Sequence, residues 1–173
     1  MKAFQLRETA GMTGLILRND LEKPTPGPDE VLVRVRATSL NFRDYIVAHG
    51  EYPVGMKPDV IPLSDGAGDV VEVGKNVKTL GVGDRVAGCF FPDWISGPLT
   101  QEVFMRSLGG PIDGMLAEYV ALPERAAIPF PPHLSYEEAA TLPNAGVTAW
   151  HALVEVGRIQ AGQTVLLLGT GGV

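Results

Sequence analysis

Cysteine is almost absent from this 173-residue chain: Cys89 stands alone, which excludes an internal disulfide and fits a reducing compartment. Basic residues are scarce too. Fourteen Lys and Arg face 20 Asp and Glu, for a net charge of -6, so composition supplies no electrostatic reason to bind nucleic acid, where clustered cations meet phosphate. Long hydrophobic runs are missing: Val165 to Leu168 is far too short to span a bilayer. The N-terminus lacks the charged, apolar, small-residue order of a signal peptide, and a cytoplasmic protein is expected.

What is present points to a globular chain. Hydrophobic residues make up 45%, enough for one core and a small appendage. The 21 glycines and 14 prolines imply short strands joined by many turns. Met1 to Leu6, Gly14 to Arg18, Asp69 to Val73, Arg85 to Gly88 and Glu118 to Leu122 read as strands. The clearest strand starts at Glu30, with Val31, Val33, Val35 and Ala37 on one face and Arg34, Arg36 and Thr38 on the other. Asn41 to His49 reads as a short helix that Gly50 ends in a left-handed cap. Short strands and turns through Leu122 imply an antiparallel barrel or rolled sheet.

After Pro132 the period changes to that of a helix. Ser135 to Glu138 has the form of a capping box, and a second helix is expected from near Asn144 to Gly157, with Val147, His151 and Val154 on one stripe beside Trp150. Gln163 to Val173 then reads as a buried strand entering a glycine-rich turn at Gly169, Gly171 and Gly172. In a dinucleotide-binding βαβ unit such glycines bring the backbone close to a pyrophosphate. The chain is therefore expected to be part of a longer enzyme, its apolar last strand prone to association. A natural end at Val173 would point instead to a non-catalytic binding or assembly module.

Several segments, in this order and spacing, resemble the medium-chain dehydrogenase/reductase superfamily over nearly the whole chain. They are Pro26 to Val35, Ser39 to Asp44, Gly66 to Gly74, Gly83 to Val86, Gly114 to Val120 and Leu142 to Ala149. The resemblance implies a mainly β GroES-like barrel with short helices over residues 1–128. Residues 129–173 would then open an α/β Rossmann domain. It implies an oxidoreductase using NAD(P), either NADH or NADPH, on a small-molecule carbonyl, activated alkene or alcohol, with quinones, enones and aldehydes as candidate acceptors. A homodimeric parent is also implied.

Zinc divides that superfamily. The family's ligand positions fall at Asn41, at Ser64 followed by Asp65, and near Asn144, none of them a thiolate or imidazole, and a structural zinc lobe would need four cysteines. His49, His133 and His151 lie elsewhere. A zinc-independent branch similar to quinone oxidoreductases is expected, with no metal residues.

Charge on the substrate oxygen must then be met by protein donors. Gly50 to Pro53 is similar to the segment that brings an active-site tyrosine in zinc-free relatives, so Tyr52 is a catalytic candidate; packing of a loop beside Pro53 is its other reading. Asn41 is expected beside the nicotinamide, as a catalytic and cofactor-binding candidate, and also suits a helix N-cap. Thr148 matches a cofactor-holding threonine, or is a mid-helix threonine bonded to a preceding carbonyl. Gly169, Gly171 and Gly172 complete the cofactor set. Asp44 reads as a helix-dipole residue and Cys89 as a small buried hydrophobe. The aromatic tract Phe90 to Ile95 is either a substrate-pocket wall or a loop anchored on the barrel.

Overall fold

The computed structural model describes residues 1–7 and 11–169. Strands β1 (Ala3–Leu6) and β2 (Leu15–Arg18) pair antiparallel as a small ribbon. The main sheet holds β3 (Glu30–Ser39), β4 (Asp65–Val73), β5 (Arg85–Gly88), β6 (Tyr119–Pro123) and β7 (Ala127–Pro129). Its order is β6-β3-β4-β5-β7 and every pairing is antiparallel, as expected of a rolled β domain.

Strand β3 shows how the sequence pattern becomes a core. Val31 and Val33 are buried among Val70, Val86, Leu108, Met115, Val120 and Leu122, with Val35 packed against them. Ala37 belongs elsewhere: the register with β4 shifts between Val35 and Ala37, and Ala37 packs on Ala67, Ala87, Ala139 and Ala140. One extra residue in a strand reverses which face its side chains meet. Strand β4 begins at Asp65, four residues earlier than its valines suggest. There Gly68 lies so close to β3 that a Cβ on it would stand 2.1 Å from the Arg34 carbonyl oxygen.

Helix α1 (Phe42–Ala48) follows Asn41 and ends at His49, before Gly50 with φ 72°. A short helix α2 (Gln101–Phe104) is capped by Thr100. The capping box at α3 (Tyr136–Ala140) is present: Ser135 Oγ accepts the Glu138 N–H at 3.1 Å and Glu138 accepts the Ser135 N–H at 2.8 Å. The Arg85 guanidinium lies over Phe130 and Tyr136 at 4.6 and 4.5 Å and donates to the Pro132 and Leu134 carbonyls. Asp69 accepts bonds from Arg36 and the Tyr136 hydroxyl. These contacts fasten the segment between the sheet and the last helices.

The final helix starts at Leu142, two residues ahead of expectation. It runs as a π-helical turn Leu142–Gly146, α4 (Val147–Trp150) and a second π-helical turn His151–Val156. One expectation fails: Val165 to Leu168 forms no buried strand, and Leu166, Leu167 and Leu168 are exposed. A strand is stabilised by ladder bonds to neighbours, and no described residue pairs with this segment. Gly171 and Gly172 lie outside the described residues.

Candidate active site

Three chain segments meet at a buried carboxylate. Asp65, at the start of β4, is fully buried, and Oδ1 accepts the Ser64 hydroxyl at 2.9 Å. Burial raises its pKa most strongly, against the opposing influence of the Asn41 side chain, the Ser64 hydroxyl, the Asn144 backbone amide and the Arg43 charge. Asn41 Nδ2 and Asp65 Oδ2 are both buried and make no hydrogen bond of normal geometry among the described residues, so the Asn41 influence is a looser polar contact. The positions that resemblance assigns to metal ligands, Asn41, Ser64 and Asn144, thus converge on one acidic side chain.

That donor set does not fit zinc. It offers one carboxylate, a hydroxyl and two amides, whereas a tetrahedral zinc site draws on thiolates, imidazoles and carboxylates. Among the described residues no group of three His, Cys, Asp or Glu side chains could hold a metal ion.

Helix α1 supplies the next layer. Asp44 accepts the Asn41 backbone N–H at 2.8 Å, and burial pushes its carboxyl up to about 6. Arg43 was not singled out from the sequence, because a charged residue on a short helix reads as solvent-facing. It is buried. Its guanidinium donates to the Leu108 carbonyl and to Ser107 Oγ, the latter at 3.1 Å, and lies 4.5 Å from the Tyr52 ring centroid and 4.8 Å from that of Phe90. Desolvated cation–π contacts of this kind hold both rings. No local sequence pattern announced this, because Phe90 reaches Arg43 only through the fold.

A cleft of ≈ 440 Å³ opens beside this cluster. Asn144, Thr148 and Cys89 give it polar atoms; Phe90, Phe91, Trp94, Ile128 and Val147 give it apolar walls. Thr148 is exposed on α4 and lines the cleft, and burial raises the Cys89 thiol, keeping it protonated. Tyr52 does not line this cleft. It borders a smaller cavity of ≈ 270 Å³ with Val47, Pro53 and Met56, and its ring also approaches Phe104 at 6.1 Å. Arg43 bridges the two regions, since Phe90 belongs to the cleft wall. Gly169, with φ 83° and open space where a Cβ would stand, lies apart from the cleft lining.

Comparison with known proteins agrees with this architecture. The alcohol dehydrogenase GroES-like domain matches residues 27–132. A zinc-type alcohol dehydrogenase-like protein of Schizosaccharomyces pombe is 44% identical over 148 residues, covering 84% of this chain and 43% of its own length. The 2-methylene-furan-3-one reductase of Solanum lycopersicum is 33% identical over 174 residues, covering 99% of this chain and 41% of its own. The crystal structure of an NAD-dependent alcohol dehydrogenase superposes with a TM-score of 0.80 at 33% identity, covering 94% of this chain and 49% of that one. The chain spans less than half the length of these relatives. With its antiparallel sheet, its buried polar cluster and these matches, the chain belongs to the alcohol dehydrogenase GroES-like family of the medium-chain dehydrogenase/reductase superfamily.

Proposed function

We propose that this chain is the substrate-side portion, residues 1–128, and the opening of the nucleotide domain, residues 129–173, of a zinc-independent NAD(P)-dependent oxidoreductase. It would move a hydride between the nicotinamide and a carbonyl or activated alkene, such as a quinone, enone or aldehyde, or an alcohol. The observation that carries this reading is the convergence of Asn41, Ser64 and Asn144 on buried Asp65 beside an open cleft. A buried polar cluster there, with the Ser64 hydroxyl donating to Asp65, supports a site built without a metal.

The nicotinamide would supply the hydride chemistry when bound, and the protein would supply position and charge stabilisation. Thr148 and Asn41 would hold its nicotinamide side, and Gly169, Gly171 and Gly172 its phosphates. Asn41 would offer an amide donor where negative charge grows on the substrate oxygen, and Tyr52 would return the proton. Arg43 holds the Tyr52 ring against α1 and so sets where that hydroxyl can reach. We place the parent in the cytoplasm as a homodimer acting on small molecules.

The test uses the longest natural polypeptide that carries this sequence. Calorimetry with NADH and NADPH, zinc content by mass spectrometry, and turnover against quinones, enones, aldehydes and alcohols are measured on one preparation. The expected result is binding of one nucleotide, substoichiometric zinc and turnover that a chelator leaves unchanged. Stoichiometric zinc lost together with activity would overturn the metal-free reading; binding neither nucleotide would favour a non-catalytic module.

A further inference from the structure

We propose that Asp93 is the positioning residue of the cleft's aromatic wall, and that this wall receives an uncharged, apolar and flat part of the substrate. The proposal rests on the reading of the cleft as the substrate site and adds what selects the substrate. The wall is an edge-to-face series: Phe90 and Phe91 lie 4.4 Å apart at 75°, and Phe91 and Trp94 5.7 Å apart at 81°. Such pairs present a ring face beside a ring edge, a surface suited to another flat apolar group. Trp94 Nε1 is already committed, donating to the Gly97 carbonyl at 3.0 Å, so the indole offers the cleft its apolar body. Ile128, Leu142 and Val147 also line the cleft, and among the described residues no charged one does.

A wall made of a loop selects shape only while the loop is held. Backbone bonds anchor its start, Cys89 N–H to the Ala126 carbonyl at 2.8 Å and Leu108 N–H to the Phe90 carbonyl at 3.1 Å. Beyond Phe91 the loop turns on itself, with the Trp94 N–H donating to the Phe91 carbonyl at 3.2 Å over the buried Pro92, and the polar side-chain tie to other elements is that of Asp93. Asp93 Oδ2 accepts from Arg106 Nε, just after α2, while Oδ1 accepts from Arg125 Nη2, just before β7. One carboxylate therefore spans two separate elements and fixes the neighbouring Trp94 between them. The Asp93 side chain is 20% exposed while the arginines are 52% and 49% exposed, so the shared acceptor is the shielded member. An amide in its place keeps one acceptor oxygen and turns N–H donors toward an arginine, so Asp93→Asn can satisfy one arm only.

The experiment compares the full-length protein with D93N, D93E and, to break one arm at a time, R106Q and R125Q. Hydrogen exchange is read over the peptide covering residues 90–97, and steady-state kinetics use a neutral aryl acceptor and a small aliphatic acceptor of the same reactive group. Faster exchange confined to that peptide is expected in D93N, R106Q and R125Q, with partial recovery in D93E. KM for the aryl acceptor should rise about tenfold while kcat, and KM for the small acceptor, stay within about twofold. Exchange unchanged in all variants would overturn the latch. Faster exchange with equal effects on both acceptors would overturn the selectivity, leaving Asp93 a fold contact. No turnover by the unsubstituted protein on either acceptor would instead overturn the oxidoreductase reading, and the selectivity with it, while the exchange result reports the latch without substrate.

Discussion

Asp44 accepts the Asn41 backbone N–H at 2.8 Å, so the first turn of α1 is closed by a carboxyl that burial has pushed up to about 6. A carboxyl whose folded pKa lies above its unfolded value binds its proton more tightly when folded. Stability therefore falls as pH rises from the unfolded value of 3.8 to about 6, and stays low above it. Asp65, also raised by burial, acts in the same direction. The cost of ionising Asp44 is on the order of 3 kcal/mol, at 1.36 kcal/mol per pKa unit. Asp44→Asn keeps an acceptor for the Asn41 N–H and removes the charge. Urea denaturation between pH 4 and 8 should show a flatter profile for this variant and a gain at pH 7; an unchanged slope would refute the assignment.

Ser64 shields one oxygen of a carboxylate that has no access to solvent. Ser64→Ala leaves that oxygen unpaired, and losing a hydrogen bond to a charged group costs roughly 1.5–3 kcal/mol. The loss should be larger at pH 8 than at pH 4, because a protonated Asp65 needs the donor less. Chemical denaturation at the two pH values measures the difference, and equal losses would mean the bond contributes little to the ionised form.

Gly68 sits where β3 and β4 approach most closely. A methyl there would meet the Arg34 carbonyl oxygen at 2.1 Å and Val33 Cγ1 at 2.9 Å, and the neighbours are a central strand and a core side chain. Gly68→Ala should cost at least about 2 kcal/mol through overpacking. The equivalent change at Gly83, with φ 99° but open space around it, strains only the local backbone and should cost less. Comparing the two midpoints of thermal unfolding tests whether close approach or conformation matters more.

Much of the fold was readable because side-chain pattern and backbone demand coincide in it. The alternation from Val31 to Val35, the capping box at Ser135 and the left-handed Gly50 each announce their structure locally. The early start of β4 was not readable, since Asp65 to Gly68 lacks the β-branched side chains that mark strands and owes its conformation to neighbours packed against its glycines. Val165 to Leu168 misled for the opposite reason: its side chains suit a strand, but pairing partners decide whether one forms. At the site, the resemblance named Asn41, Ser64 with Asp65, and Asn144 separately, whereas the burial of Asp65 among them and the burial of Arg43 emerge only from three-dimensional packing.

Tyr52 is the residue on which the geometry makes the sharpest demand. Its ring is held over Arg43, away from the lining of the larger cleft, so a catalytic hydroxyl must reach the substrate from the Arg43 side. If Tyr52 delivers the proton, Tyr52→Phe keeps the ring contact and removes only the donor, and kcat should fall about 10²-fold or more with KM nearly unchanged. Tyr52→Leu would remove the cation–π contact as well and add a loss of stability of roughly 1 kcal/mol. Steady-state kinetics on both variants, with denaturation midpoints measured in parallel, separate the roles. A Phe variant with full kcat beside a destabilised Leu variant would make Tyr52 a packing residue and transfer the proton-donor role to a group on the cleft itself.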